Sequence, residues 1–210
     1  SDKVAQIVSV QNTLVLTVGT DVMTQTMNEE GSMRIDPHVW LSPQLAIKMV
    51  DKITAGFVQV DEVNTVYYEA NAQMIKGKLA ALDVEFNSGL ANCAKKDIVT
   101  SHSAFGYLAS TYGLNQVSVA GLSPDAEPSP RQLAGIVDFV KKNSIKYIFF
   151  ESLTSPKLSE TIANEVGART LVLNPIEGLT PDEIAAGEDY LSAMRENLKN
   201  LQLALECAKI

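Results

Sequence analysis

The second half of the chain alternates short apolar runs with amphipathic segments. The apolar runs are rich in β-branched and aromatic residues, which is typical of buried strands. We predict strands over 98–100, 116–120, 147–150 and 170–173. Helical periodicity predicts helices over 104–112, 130–143, 157–166 and 181–208. Because parallel strands are connected by right-handed helical crossovers, this half is predicted to be a compact α/β lobe with a parallel four-stranded sheet.

The first half is predicted to be mostly helical after an incomplete beginning. Residues 14–18 form a short strand-like run, and a polar stretch follows it. Ser42 is a good N-cap and Pro43 a good first helical residue, so a helix should run from there to about Phe57. A second helical pattern covers 61–92. At 1.5 Å per residue this helix would be about 45 Å long, which suits a spine between two lobes.

Composition and charge argue against several classes of function. The formal net charge of the 210 residues is -8, which argues against a nucleic-acid surface because such a surface needs clustered Lys and Arg. No window offers the run of about 18 apolar residues that a membrane-spanning helix needs. The two cysteines, Cys93 and Cys207, lack the Cys-x-x-Cys spacing of a zinc knuckle or a redox pair.

Ionisable and polar residues follow the predicted strands. His102 follows the first strand, Glu151 the third, and Asn174 and Glu177 the fourth. Sites of open parallel sheets lie beyond the carboxyl ends of the strands, so we expect these side chains at one edge. The other histidine, His38, could face them across a cleft between two lobes. Histidine and carboxylate ligands suit tetrahedral Zn(II) and tolerate Mn(II). Taken singly, such residues are more often hydrogen-bonded or solvated structural residues than ligands.

These residues lie in segments that together resemble a known family, the zinc-binding receptors of ABC importers (cluster A-I, of ZnuA or AdcA type). The resemblance extends from about Asp36 to Leu205. It is carried, in the expected order, by Asp-Pro-His-Val-Trp-Leu at 36–41, Thr-Ser-His-Ser-Ala-Phe-Gly-Tyr-Leu at 100–108, Phe-Phe-Glu at 149–151 and Leu-Asn-Pro-Ile-Glu-Gly-Leu-Thr at 173–180.

The resemblance implies two α/β lobes joined by a rigid helix, with the metal held between them. By position, His38 is similar to the ligand of the first lobe and His102 to the histidine of the second lobe. Glu177 is similar to the carboxylate ligand that some members supply from the last loop, and others place an aspartate near Asn174. Glu151 matches a position that would orient a histidine through its second ring nitrogen. A histidine at position 102 favours zinc, since manganese receptors of this type tend to carry glutamate there.

The chain departs from the family pattern in its first lobe. Family members carry a further zinc-binding histidine there, and this sequence has only two histidines. We therefore expect a partial N-terminal lobe over 1–60, a linking helix over 61–92 and a complete C-terminal metal-binding lobe over 93–210. A shortened paralogue or a piece of a longer protein would both explain this. Weaker zinc binding than in an intact receptor, and self-association through uncovered apolar surface, are expected.

The function implied by the resemblance is that of an extracytoplasmic receptor, periplasmic or membrane-anchored. It would bind Zn(II) and deliver it to the membrane permease of an ABC importer, without being an enzyme or contacting nucleic acid. One alternative is a manganese receptor of the same family. The other is a zinc-dependent hydrolase, with Glu151 as its general base, although the sequence has no His-Glu-x-x-His motif.

The predicted topology brings the two cysteines towards each other. Cys93 precedes the first strand of the C-terminal lobe and so lies at the end away from the metal. The last helix should return from the metal edge to that same end, and Cys207 lies near its finish. The two residues could form a disulfide in an extracytoplasmic protein, or remain two buried thiols.

Overall fold

A computed structural model of the chain describes residues 14–29, 32–122, 128–153 and 155–208. Within these residues the strands are β1 Thr26–Glu29, β2 Ser32–Ile35, β3 Asp97–Thr100, β4 Asn115–Ser118, β5 Tyr147–Phe150 and β6 Arg169–Val172. The α-helices are α1 Pro43–Val60, α2 Thr65–Leu90, α3 Gly106–Tyr112, α4 Pro130–Lys142, α5 Lys157–Val166, α6 Pro181–Ala185 and α7 Tyr190–Ala204. Short 3-10 helices cover Val39–Leu41 and Glu62–Asn64.

The C-terminal lobe is built on a parallel sheet with the strand order β4-β3-β5-β6. This confirms the predicted four-stranded parallel sheet. The chain moves outward from β3 to β4 and then crosses back to β5 on the other side of β3. The carboxyl ends of β3 and β5 therefore diverge into loops that leave in opposite directions. Such a switch point is where open α/β sheets form their binding crevices.

Alternate residues of the central strands enter two separate apolar cores. Ile98 and Phe149 lie in a core with side chains from α2, α3 and α7. Val99 and Ile148, one residue away along the same strands, lie in a second core with side chains from α4 and α5. The side-chain period of two places neighbouring residues on opposite faces, so helices cover the sheet on both sides.

Helix α2 connects this lobe to the N-terminal part of the chain. Its C-terminal half contributes Leu82, Phe86 and Leu90 to the first core, and all three are nearly fully buried. It also packs along α1, from the Asp51–Lys76 ion pair to the hydrogen bonds between Gln44 and Asp83. Several large apolar side chains of this helix pair remain exposed. They are Ile53, Phe57 and Val60 of α1 and Val66, Tyr67, Met74, Ile75 and Val84 of α2.

The structure corrects the prediction for the N-terminal residues. Residues 14–18, predicted as a strand, form no strand, and the side chain of Leu16 lies over Gly56 of α1 instead. The polar stretch that follows contains an antiparallel hairpin of β1 and β2, which the sequence reading missed. All four residues of β2 are exposed, so the hairpin lacks the apolar alternation by which a half-buried strand is identified.

Two of the predicted helices are longer than the α-helices in the structure. The α-helix predicted over 61–92 begins at Thr65, after a 3-10 turn. The single helix predicted over 181–208 is two helices, α6 and α7. Gly187 between them has φ = 76°, and Asp189 caps the start of α7 by accepting a hydrogen bond from the Ser192 backbone N–H at 2.9 Å. The break redirects the chain before the helix that covers the sheet.

Cys93 and Cys207 form a disulfide between the residues that follow α2 and α7. The same two residues form an isolated antiparallel bridge, so the ends of both helices are tied at the edge of the sheet opposite the strands' carboxyl ends. Within the described part of the chain, no helix combines the length and the apolar character that crossing a membrane requires.

Replacing both cysteines by serine is expected to lower the free energy of unfolding by about 2–4 kcal/mol. The disulfide links residues 114 positions apart, so its loss frees a long segment of the unfolded chain. Urea denaturation of the wild type and the double variant measures the difference. Reducing agent should lower the midpoint of the wild type only. An unchanged midpoint in the double variant would contradict the expectation.

Candidate metal centre

Side chains of His38, His102 and Glu177 converge where the loops after β3 and β6 meet the segment before α1. The ligand atoms of these three side chains lie within 4.8 Å of one another. His38 Nε2 is 3.2 Å from Glu177 Oε1, and His102 Nε2 is 3.7 Å from the same oxygen. Both imidazoles are almost completely buried, whereas the Glu177 side chain is 36% exposed. The cluster therefore has a buried nitrogen side and an accessible carboxylate side.

The segment that carries His38 is anchored in the C-terminal lobe. Leu41 is fully buried in the core formed with α2, α3 and α7. The hydroxyl of Tyr107 in α3 donates to the Asp36 carbonyl at 3.3 Å, and Thr111 donates to the Ser42 hydroxyl at 3.0 Å. Ser42 occupies the expected N-cap position but makes no capping hydrogen bond with its side chain. Its hydroxyl fastens α1 to α3 instead.

Asp36 orients the imidazole of His38. One carboxylate oxygen, Oδ1, accepts hydrogen bonds from the His38 backbone N–H at 2.9 Å and from Nδ1 at 2.7 Å. The carboxylate is buried, so this pair is shielded from water. Because Asp36 accepts the proton of Nδ1, it is Nε2 that faces Glu177 and His102, and this nitrogen offers a lone pair to a metal once its own proton is lost.

Glu151 holds His102 in the same way. Glu151 directly follows β5 and is buried, and its Oε1 lies 2.5 Å from His102 Nδ1. The Ser101 hydroxyl donates to the same oxygen. The His102 carbonyl accepts from Thr100 at 2.8 Å and from Gln116 at 3.0 Å, which fixes the backbone.

The Nε2 atom of His102 is left without a hydrogen-bond partner. Among the described residues, only two buried side-chain nitrogen or oxygen atoms lack a hydrogen-bond partner, and this is one of them. A buried imidazole nitrogen without a partner is costly, and in native structures it usually indicates a missing ion, water or ligand. With Nδ1–H donated to Glu151, this nitrogen offers a free lone pair to the centre of the cluster.

The surroundings raise the pKa of His38. Burial by itself disfavours the imidazolium and is the largest influence, but it is outweighed by hydrogen bonds and charge from Asp36 and Glu177 together. Before a metal ion binds, a proton therefore competes for His38 up to a higher pH than for an ordinary histidine.

Glu177 is presented by a tightly held loop after β6. The Asn174 side chain accepts a hydrogen bond from the Ile176 N–H at 2.8 Å, so its oxygen is engaged within the loop itself. Ile176 has φ = 55°, a left-handed conformation that is strained for a β-branched residue. The Trp40 indole donates to the Pro175 carbonyl at 2.8 Å and so ties this loop to the His38 segment.

The structure brings the three residues predicted as metal ligands together. It places Glu151 on Nδ1 of His102, and Asn174 in the turn that leads to Glu177. Sequence reasoning missed the role of Asp36, although an aspartate two residues before a histidine is close enough to hydrogen-bond its ring. It also missed Trp40, for which the sequence offers no comparable signal because its partner, the Pro175 carbonyl, is a distant backbone group.

The chain is similar to zinc-uptake proteins over nearly all of its length. The family described as ZnuA, zinc-uptake complex component A, periplasmic, matches residues 1–204. The high-affinity zinc uptake system protein ZnuA of Bacillus subtilis is 46% identical over 174 residues, covering 83% of this chain and 54% of that protein. Zinc-binding lipoprotein AdcA of Streptococcus pneumoniae serotype 4 is 48% identical over 179 residues, covering 83% of this chain and 35% of that protein. The chain thus spans between a third and about half of the length of these relatives.

Solved structures with related sequences share the fold. The Zn(II)-bound ZnuA-like domain of Streptococcus pneumoniae AdcA has a TM-score of 0.72 and 42% identity, covering 93% of this chain and 68% of that one. The metal-dependent lipoprotein YcdH from Bacillus subtilis has a TM-score of 0.76 and 42% identity, covering 93% of this chain and 72% of that one. These likenesses confirm the predicted fold class.

In the metal-free protein, Asp36→Asn is expected to lower the pKa of His38. The neutral amide no longer stabilises the imidazolium, so the ring loses its proton at a lower pH. Histidine NMR spectra recorded as a function of pH measure this directly, since the chain has only two histidines. Asp51→Asn, which removes a surface carboxylate paired with Lys76, is the control and should leave His38 unchanged. An unaltered His38 titration in Asp36→Asn would show that the Asp36 carboxylate does not determine the pKa of His38.

Proposed function

Because the chain belongs to the ZnuA family of periplasmic zinc-uptake components, we propose that it is a receptor that binds Zn(II) outside the cytoplasm and delivers it to the membrane permease of an ABC importer. The observation that carries the proposal is the convergence of two imidazole Nε2 atoms and one carboxylate at a single point. Both imidazoles have their other nitrogen engaged by a buried carboxylate.

The donor set favours zinc over manganese. Zn(II) prefers tetrahedral sites of nitrogen, sulfur and carboxylate ligands with bonds of roughly 2.0–2.2 Å, which places ligand atoms about 3.3 Å apart. The separations from Glu177 Oε1, 3.2 and 3.7 Å, are close to that spacing. Mn(II) suits sites richer in oxygen ligands, whereas two of the three donors here are imidazole nitrogens.

Three ligands leave a fourth position of the tetrahedron for water or another side chain. Since Glu177 is the exposed member of the set, the metal ion would enter and leave on its side. A carrier needs such access, because a metal enclosed on all sides is released slowly. With three protein ligands among the described residues, the chain is expected to bind Zn(II) less tightly than a receptor that supplies four.

A zinc hydrolase is a weaker candidate, although an open fourth position is also typical of catalytic zinc. A hydrolase needs a general base beside the metal-bound water. Glu151, the candidate from the sequence, is buried and hydrogen-bonded to Ser101 and His102 Nδ1. Asp36 is engaged by His38 in the same manner. Both carboxylates therefore support ligands rather than a reacting water.

An extracytoplasmic location accounts for the disulfide between Cys93 and Cys207, since such bonds persist in oxidising compartments. The relatives named above include a lipoprotein, and the matching family is described as periplasmic. We propose the permease as the partner on the basis of family membership. Self-association through the exposed apolar side chains of α1 and α2 stays a prediction, and sedimentation would measure it.

Replacing a metal ligand should weaken zinc binding without unfolding the chain. In a competition titration against a chromogenic chelator, the wild type is expected to bind one Zn(II). The variants His38→Ala and His102→Ala should each lose more than about 100-fold in affinity, since even groups that merely orient ligands typically contribute 10–100-fold. Glu177→Gln should weaken binding by a smaller factor, because an amide oxygen is still a weak ligand.

Glu165→Gln is the matched control for this titration, since it removes an exposed carboxylate of α5 that pairs only loosely with Lys141 at 3.9 Å. It should bind zinc as the wild type does. Zinc affinity that is unchanged in His102→Ala would place the metal elsewhere and would refute the proposed site.

A further inference from the structure

We infer that Asn197 of α7 and the indole of Trp40 are positioning residues that hold the loop 174–177 so that the Glu177 carboxylate faces the two histidines. The inference rests on the zinc-binding function proposed above. It concerns two side chains that offer no ligand atom to the metal and act through the backbone of the loop.

Asn197 forms two hydrogen bonds with the backbone directly after β6. Its Oδ1 accepts a hydrogen bond from the Asn174 backbone N–H at 2.7 Å, and its Nδ2 donates to the Asn174 carbonyl at 2.7 Å. Both residues are buried, with 1% and 5% of their surface exposed. The side-chain amide thus makes the two backbone hydrogen bonds with Asn174 that a neighbouring strand would otherwise make. Without it, two buried backbone groups would lose their partners, and the loop would have to move to regain them.

Trp40 connects the same loop to the other half of the site. Its Nε1–H donates to the Pro175 carbonyl at 2.8 Å, and its ring lies 5.3 Å from the His38 ring. The hydroxyl of Tyr190, the first residue of α7, donates to the Trp40 carbonyl at 2.7 Å. Helix α7 therefore fixes the loop twice, once directly through Asn197 and once through Tyr190 and Trp40.

The loop shows the backbone strain that such fixation produces. Ile176 lies between the two fixed points and Glu177, and its left-handed conformation persists only where surrounding contacts over-determine the backbone. The Glu177 side chain is 36% exposed, so burial holds it weakly. Its position beside His38 depends mainly on the backbone that presents it.

A double-mutant cycle on zinc affinity tests the inference. Asn197→Ala is expected to weaken zinc binding at least about tenfold, the lower end of the range for groups that orient ligands. In the Glu177→Gln background the same substitution should change the affinity less than about twofold, because the ligand that it positions is already impaired. A loss of general stability would reduce affinity equally in both backgrounds.

Asn200→Ala is the matched control. Asn200 lies on the same helix and donates to the Val172 carbonyl at 3.0 Å, two residues before Asn174. It should leave zinc affinity within about twofold of the wild type. Trp40→Phe keeps an aromatic ring beside His38 and removes the indole N–H together with one fused ring. It repeats the test if circular dichroism shows that Asn197→Ala does not fold.

The outcomes separate this inference from the proposed function. Zinc affinity unchanged in both Asn197→Ala and Trp40→Phe overturns the inference, and so does a loss of equal size with and without Glu177. A similar loss in Asn200→Ala also overturns it, since any weakening of α7 would then suffice. Absence of zinc binding by the wild type overturns the proposed function itself.

Discussion

Two buried hydrogen bonds between a carboxylate and an imidazole determine what the candidate site can bind. Asp36 accepts from Nδ1 of His38, and Glu151 is paired with Nδ1 of His102. Each carboxylate fixes the ring's orientation and its tautomer, so both Nε2 lone pairs face the same point. Removing either carboxylate would leave a buried ring nitrogen without a partner and free the imidazole to rotate. The rest of the site adds a carboxylate, Glu177, to this pair of oriented rings.

The fold supplies these pairs through ordinary elements. The switch point between β3 and β5 places His102 beside Glu151, because adjacent parallel strands end at the same edge of the sheet. The His38 segment is held against the lobe by Leu41, which lies in its core. Helix α7 covers the same core and, on our inference, also fixes the loop of Glu177. Parts of the chain far apart in sequence thereby meet in one rigid arrangement.

Sequence patterns predicted those parts of the site that depend on strand ends. The position of His102 and Glu151 after neighbouring strands follows from apolar runs and parallel connections. The pattern failed where apolar alternation is absent, as in the exposed hairpin of β1 and β2, and where one glycine, Gly187, redirects the chain. Contacts between a side chain and a distant backbone, such as those of Asn197 with Asn174, leave no local trace in the sequence. The geometry of Glu177 depends on such contacts and therefore required the structure.

X-ray absorption at the zinc K-edge, measured on the chain loaded with one equivalent of Zn(II), tests the central claim most directly. The account predicts nitrogen and oxygen ligands at roughly 2.0–2.2 Å, with outer-shell scattering from two imidazoles per zinc. Because the chain contains only two histidines, that result requires both His38 and His102 on the same ion. A spectrum with one imidazole or none, or with sulfur ligands, would contradict the account.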